Sequence, residues 1–499
     1  ALSLLLLDVA SSAYAVIPEG TTYGRPQAIA IGGGSWTDAP GSIVVGAASR
    51  ATGGVKGIAI GHTVVANGQD ALAVGTNSQA VTQGSAFGRL ANAATDGTAL
   101  GNQATASGTK SLAAGNQATA SGESSVAAGD GANAKSEASV AIGKNSVVER
   151  EKGIAIGEGA TATTNSTQAI AIGVSSISNG TNSTAIGTNA RGGYVDSVAL
   201  GTAANASNYE AIAIGKSSVN GAISGTAIGT RANIGGWAQN AIAIGTDAKV
   251  DGSSGSAKGN NAIAIGYNAS TTGENTIAMG MTANANKEGS IAIGRQSNTA
   301  GNYGIAVGYN ASSSTTNDNA IALGRNTVAG SDSAVAVGLG AQATGQFSLA
   351  AGRYANAAGD EALAMGFSTK ASAREALAMG KGANASGGAA FAMGVFACAT
   401  NTSSLALGTG AKAQGEGTVA LGAGAVTSAH TGAMALGGNA SGLYSVAVVS
   451  GSQTKGGYAI AMGYNAISED SGIAQGLNAN AANNAISLGR DSKALAKSG

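Results

Sequence analysis

Ser139-Val140-Ala141-Ile142-Gly143 is a short alternating apolar run closed by glycine, and it returns as Lys152-Gly153-Ile154-Ala155-Ile156-Gly157. The closing glycine recurs at Gly101, Gly115, Gly129, Gly143 and Gly157, then at Gly187, Gly201, Gly215 and Gly229. It recurs again from Gly338 through Gly352, Gly366, Gly380, Gly394 and Gly408 to Gly422, and within each series the step is fourteen residues. Self-similarity at a short fixed period predicts a solenoid, in which each repeat touches only its neighbours. The length of 499 residues therefore does not set a domain count.

In Ala211-Ile212-Ala213-Ile214-Gly215 large residues alternate with alanine, the two-residue period of a strand. After the glycine comes x-x-[Ala/Ser]-x-Ala-x-Gly, as in Gly380-Lys381-Gly382-Ala383-Asn384-Ala385-Ser386-Gly387. This predicts a second, shorter strand with alanine inward, and its closing glycine permits the return turn. A three-sided helix of hexapeptides needs about 18 residues per coil, so a flattened two-sided roll is expected. The Ile and Val of the first strand should face inward against the alanines of the second. The alanines of the first strand should then form an exposed stripe. Thirty-odd coils stacked at about 4.8 Å give a rod on the order of 150 Å long. An uncovered stripe of that length is an interaction surface, so a homo-oligomer with coils in register is expected.

Composition excludes several classes. Glycine is abundant at 81 residues but lacks the every-third spacing of collagen. Proline is confined to Pro18, Pro26 and Pro40, as suits a backbone whose N–H groups are committed to a ladder. The 26 basic residues balance 26 acidic ones, so no basic stripe and no nucleic-acid binding are expected. The single cysteine, Cys398, excludes an intrachain disulfide; it aligns with Asn384 one period earlier and reads as a small residue tucked into a coil. His62 and His430 lie too many coils apart to form a catalytic or zinc-binding pair. The nine-residue calcium-binding β-roll repeat, with its Asp ladder, is absent. Gly32-Gly33-Gly34 joins no strand to a helix, so phosphate cradling is unsupported. Asn268-Ala269-Ser270 and its like arise from the repeat itself. Thr105 and Thr119 align, but the row fails at Asn133, which speaks against ice binding. No enzyme, metal or cofactor is expected.

At the N-terminus Leu2–Leu7 are apolar apart from Ser3, and Ala13-Tyr14-Ala15 reads as a cleavage signal before Val16. Residues 1–15 are thus expected to be the remnant of a secretory signal, with retention as a hydrophobic end-cap as the rival reading. Residues 16–27 are a lead-in, and 28–499 the repeat region.

The repeat unit S/A-[VI]-A-[ILM]-G-x-x-[AS]-x-A-x-G, as at 139–150, 211–222, 362–373 and 376–387, resembles the head of the trimeric autotransporter adhesins, the YadA-like head family, over roughly residues 28–490. The resemblance implies an all-β, left-handed parallel β-roll solenoid of about fourteen residues per coil in a homotrimeric rod. It implies an exported protein displayed on the outer membrane of a Gram-negative bacterium. It also implies binding to host partners: CEACAM-type glycoproteins, or matrix proteins such as collagen and fibronectin. Autoaggregation is a further family property. Anchoring in the membrane rests on the resemblance alone. A structural fibre, such as a phage tail-fibre shaft or surface filament, is the alternative reading.

Binding residues should lie where the rhythm breaks. The steps Gly157–Gly173, Gly229–Gly245 and Gly308–Gly324 are two residues over the period, and Gly245–Gly266 is seven over and contains an insertion at 249–259. Val449 stands where a glycine is expected. Aromatic and cationic residues favoured at binding hot spots collect nearby: Tyr194, Tyr209, Arg231, Trp237, Lys249, Lys258 and Tyr267. These seven form the expected receptor-binding belt. Phe347, Tyr354, Phe391 and Phe396 are expected to be packing residues.

Overall fold

The computed structural model describes residues 15–16, 28–163, 167–252, 258–313 and 318–495. The expected signal segment up to Tyr14, the lead-in from Ile17 to Gln27 and the centre of the 249–259 insertion lie outside the described residues. Every regular element among the described residues is a strand or turn; none is a helix. The chain divides into two compact units, residues 1–247 with 252–256, and residues 248–251 with 257–499.

Both units repeat the same coil. A long strand of mostly three residues, a tight turn, a short strand of mostly two and a second turn bring the chain back beside its start. In the first unit, Val140–Ile142 pairs in parallel with Val126–Ala128 and Ile154–Ile156, with Ala141 opposite Ala127 and Ala155. Its short strand Val147–Val148 pairs in parallel with Asn133–Ala134 and Thr161–Ala162. In the second unit, Leu363–Met365 lies between Leu349–Ala351 and Leu377–Met379. The short strand Asn356–Ala357 lies between Gln342–Ala343 and Lys370–Ala371. At the start of the first unit, Ala15–Val16 pairs antiparallel with Ile29–Ile31. The parallel roll of about fourteen residues per coil is thus as the sequence predicts.

The orientation of the long strand is the reverse of the expectation. Ala141, Ala155, Ala213 and Ala364 are wholly buried, whereas Val140 and Ile154 are half-buried and Ile142, Leu200 and Met365 are exposed. In most coils alanine or serine faces alanine across the interior, and the Ile, Val, Leu and Met side chains of the long strands form the outer face. Turn length explains this. Turns of four and five residues hold the two strands too close for two layers of large side chains, which separate packed sheets by about 10 Å. The exposed stripe is therefore branched and aliphatic instead of alanine.

The [Ala/Ser] alternatives of the repeat also acquire a reason. These positions follow each turn and face inward, and a serine there donates to the carbonyl three residues back. Ser125 Oγ reaches Gly122 O at 2.7 Å, and Ser146 Oγ reaches Gly143 O at 2.9 Å. A buried hydroxyl satisfied this way closes the turn without enlarging the core.

The strand-closing glycine is fixed twice over. Gly143 has φ +121°, and a Cβ on it would lie 2.6 Å from the carbonyl oxygen of Gly157 in the next coil. Gly129 meets Gly143 in the same way, at 2.5 Å. The one place where a valine occupies this role is Val449, at φ 87°, where the neighbouring Gly437 forms an isolated antiparallel bridge with Val448. A β-branched residue at positive φ is strained. Val449→Gly is expected to raise stability by about 1 kcal/mol, read as increased amide protection of the coils around 437–463 by hydrogen exchange.

Candidate ligand-binding surface

Side chains that are not fixed by the repeat sit at the turns and at the outward positions of the strands. The clearest concavity of this kind belongs to the first unit. Ile177–Ser178, Arg191–Gly192 and Asn205–Ala206 are successive short strands, paired in parallel with Ile177 opposite Arg191 and Arg191 opposite Asn205. Gly192 takes the buried inward place filled by alanine in Ala206, and Gly193 follows it into the turn. Gly180 one coil earlier and Gly192 let neighbouring coils approach closely: a Cβ on Gly180 would collide with the Tyr194 carbonyl, and one on Gly192 would lie 3.3 Å from Ser183 Cβ in the interior. Beside them lies an open groove of about 800 Å³ bordered by Ile177, Asn179, Arg191, Tyr194 and Tyr209.

The two tyrosines form its aromatic wall. Their ring centroids are 5.1 Å apart at an interplanar angle of 52°, and each ring is nearly half exposed. Arg191 is exposed and has no carboxylate partner among the described residues. Asn179 Oδ1 accepts a hydrogen bond from Thr163 Oγ1 at 2.9 Å. The groove thus combines a tilted aromatic pair, an uncommitted guanidinium and amide donors, the composition of a protein-binding hot spot.

Of the seven residues expected in one belt, this groove gathers Tyr194 and Tyr209. Arg231, also in the first unit, is committed elsewhere: its Nε and NH2 donate to the two carboxylate oxygens of Asp247 at 2.6 Å each. That bidentate hydrogen bond, reinforced by the charge of Arg231, holds the Asp247 carboxyl below its usual range. Trp237 sits in the lengthened turn, where its backbone N–H donates to Gly252 O at 3.2 Å and its side chain is 64% exposed. Lys249, Lys258 and Tyr267 belong to the second unit. Lys249 is exposed on the short strand opposite Ser270, Lys258 is exposed at a turn, and Tyr267 is more than half exposed.

Sequence reasoning missed Ile177, Asn179 and the three glycines of the groove. The signal that could have found them is Gly192, a glycine at a position that is alanine in most coils, directly before Gly193. Phe347, Tyr354, Phe391 and Phe396 do not pack as expected; all four are exposed. Phe347, Tyr354 and Phe396 sit at turn positions with φ near +57°, which direct side chains outward. Phe391 occupies the outer face of a long strand, exposed for the same reason as Ile142. Cys398 is paired in register with Asn384, as aligned, but at an outward, half-buried position.

The family model described as the YadA head domain repeat matches residues 26–49, 53–78, 66–86, 93–118, 120–146, 165–190, 195–218, 257–283, 285–311, 316–341, 343–369, 399–425 and 440–466, more than half of the chain. A comparison with curated proteins found no match.

Proposed function

Because this chain belongs to the YadA head-repeat family, whose role is surface adhesion, we propose that it is the receptor-binding head of a homotrimeric bacterial adhesin. The outer face of the long strands supports the trimer. Ile60, Leu100, Ile142 and Leu200 in the first unit leave about two-fifths of their surface exposed, as do Met279, Met365, Met393 and Leu407 in the second. A contiguous aliphatic stripe of this kind is what a subunit interface covers. Export to the cell surface and anchoring in the outer membrane follow the family pattern, as does self-association between cells.

The observation that carries receptor binding is the Tyr194–Tyr209 groove. A host protein ligand fits it better than a small molecule, because the groove is open along one side and its wall is a half-exposed aromatic pair. CEACAM-type glycoproteins and the matrix proteins collagen and fibronectin are the partners to test. Surface plasmon resonance of the assembled protein against each should find at least one binder. Combined Tyr194→Ser and Tyr209→Ser substitutions are expected to weaken that binding at least tenfold, while sedimentation and thermal melting stay unchanged. Trp237→Ala, on a separate turn of the same unit, serves as the comparison. Unchanged affinity in the tyrosine variant would remove the groove from the reading. A trimer that binds none of these partners would favour the structural-fibre alternative.

A further inference from the structure

The second unit carries a charge pattern that the balanced composition conceals. The residue after each strand-closing glycine occupies one edge of the roll, at the first turn. From Gly294 to Gly394 this column reads Arg295, Tyr309, Arg325, Leu339, Arg353, Phe367, Lys381, Val395. A cation stands in every second coil, with an apolar or aromatic residue between, and no carboxylate occurs in the column. The alignment is a backbone fact: each residue from Arg295 to Lys381 accepts, at its carbonyl, an N–H from the next coil at 2.8–2.9 Å.

The side chains organise each other. Arg295 and Arg325 flank the Tyr309 ring, with their Cζ atoms 5.6 and 5.5 Å from its centroid. Arg353 lies 5.1 Å from the centroid of Tyr354 and 5.6 Å from that of Phe367, and Lys381 Nζ lies 5.8 Å from the centroid of Phe396. All four cations are exposed, and none has an anionic partner among the described residues. Aromatic contact holds the cations in place without neutralising them.

The acids of the same coils lie at the other turn and are already engaged within the chain. Glu288 accepts from Tyr303 Oη, and Asp318 from the Asn302 N–H. Asp360 accepts from the Gln346 N–H, and Glu361 and Glu375 pair with Arg374. The acidic edge is satisfied internally, and the cationic edge is left for an anion from outside.

The geometry points to this edge, Arg295 to Lys381, as a track for a linear sulfated polysaccharide of the glycosaminoglycan class. Two coils separate successive cations, about 10 Å. That is close to the length of one disaccharide in an extended chain, the unit over which sulfates and carboxylates repeat. Phosphates in a nucleic-acid strand follow one another at about 3.4 Å of axial rise, so most would find no cation. The intervening Tyr309 and Phe367 rings offer flat apolar surfaces for sugar faces. This site lies in the other unit from the tyrosine groove and does not depend on it.

The test is titration of the 499-residue chain with a heparin-derived oligosaccharide, by calorimetry at several salt concentrations. Four cationic contacts predict that log K falls with log salt at a slope of about −3. The combined variant Arg295→Ser, Arg325→Ser, Arg353→Ser, Lys381→Ser should weaken binding at least thirtyfold and flatten the slope, with unchanged circular dichroism. Tyr309→Leu with Phe367→Leu keeps every charge and should weaken binding several-fold at high salt. The proposal is overturned if the four-residue variant binds as tightly as the unaltered chain, or if the unaltered chain does not bind. It is also overturned if a single-stranded DNA of equal charge displaces the oligosaccharide at equal concentration. Protection of the four cations from chemical modification in the unliganded assembly would assign the edge to a second copy of the chain instead.

Discussion

Gly143→Ala is expected to destabilise its coil by about 3 kcal/mol, the sum of backbone strain at positive φ and a methyl forced against fixed backbone. The methyl would sit 2.6 Å from Gly157 O and 2.7 Å from Gly157 C. Neither atom can retreat easily, because the Gly157 N–H is itself bonded to Ile142 O at 2.7 Å. In a solenoid the damage stays near the altered coil, since each repeat touches only its neighbours. Hydrogen exchange should therefore show amide protection around 140–157 reduced about a hundredfold, with distant coils unaffected. Gly424→Ala is the control: φ is +70° but no atom lies within 4 Å of the added carbon, so about 1 kcal/mol of left-handed strain is expected. Equal effects at the two sites would show that the close approach between coils does not matter.

The second large effect concerns volume exchanged across the interior. The coils before Gly143 pair Ala106 with Ser111, Ala120 with Ser125 and Ala134 with Ser139 at facing inward positions. The next coil places a fully buried Val148 there, and Gly153 occupies the place of the serine. A Cβ on Gly153 would lie 2.7 Å from Val148 Cγ1. Asn220 and Gly225 repeat the exchange, with 2.7 Å to Asn220 Oδ1. Gly153→Ser is expected to cost about 2 kcal/mol by overpacking, and Val148→Ala about 1 kcal/mol by leaving a void. The double substitution recreates the neighbouring coil and should return close to the original stability, with a coupling energy of about 2 kcal/mol or more. Thermal melting of the four chains measures it; additive losses would show that the two positions do not share one space.

These pairs show where sequence reasoning succeeds and where it stops. The period, the two strands per coil and the place of the glycine are written in Ser139–Gly143 and its copies, because backbone geometry demands them in every coil. Which face of Val140-Ala141-Ile142 turns inward is not written in the alternation, since period two distinguishes the faces without ranking them. Ordinary burial preference favours Val and Ile inside, and it loses here to the short distance that tight turns impose. Ala134 and Ala141 on the two strands indicate a core too thin for two facing rows of isoleucine; where Ile234 is buried, it stands alone on the short strand. The groove was half legible: Tyr194 and Tyr209 stood out as hot-spot types, but Ile177 and Asn179, which border it with them, look like ordinary variation of the repeat. Arg231 was legible as a candidate, and its pairing with Asp247 sixteen residues later depends on a coil lengthened by two.

The bonds between coils run along the direction in which coils are added, as Gly157 N–H to Ile142 O and Asn145 N–H to Asp130 O illustrate. A pull applied along that direction loads them end-on and breaks them a few at a time, so coils would peel off singly instead of shearing together. Each freed coil of about fourteen residues lengthens the chain by roughly 40 Å when drawn out straight. An attachment built this way yields by extension under sudden load, and the remaining coils keep both their fold and their hold.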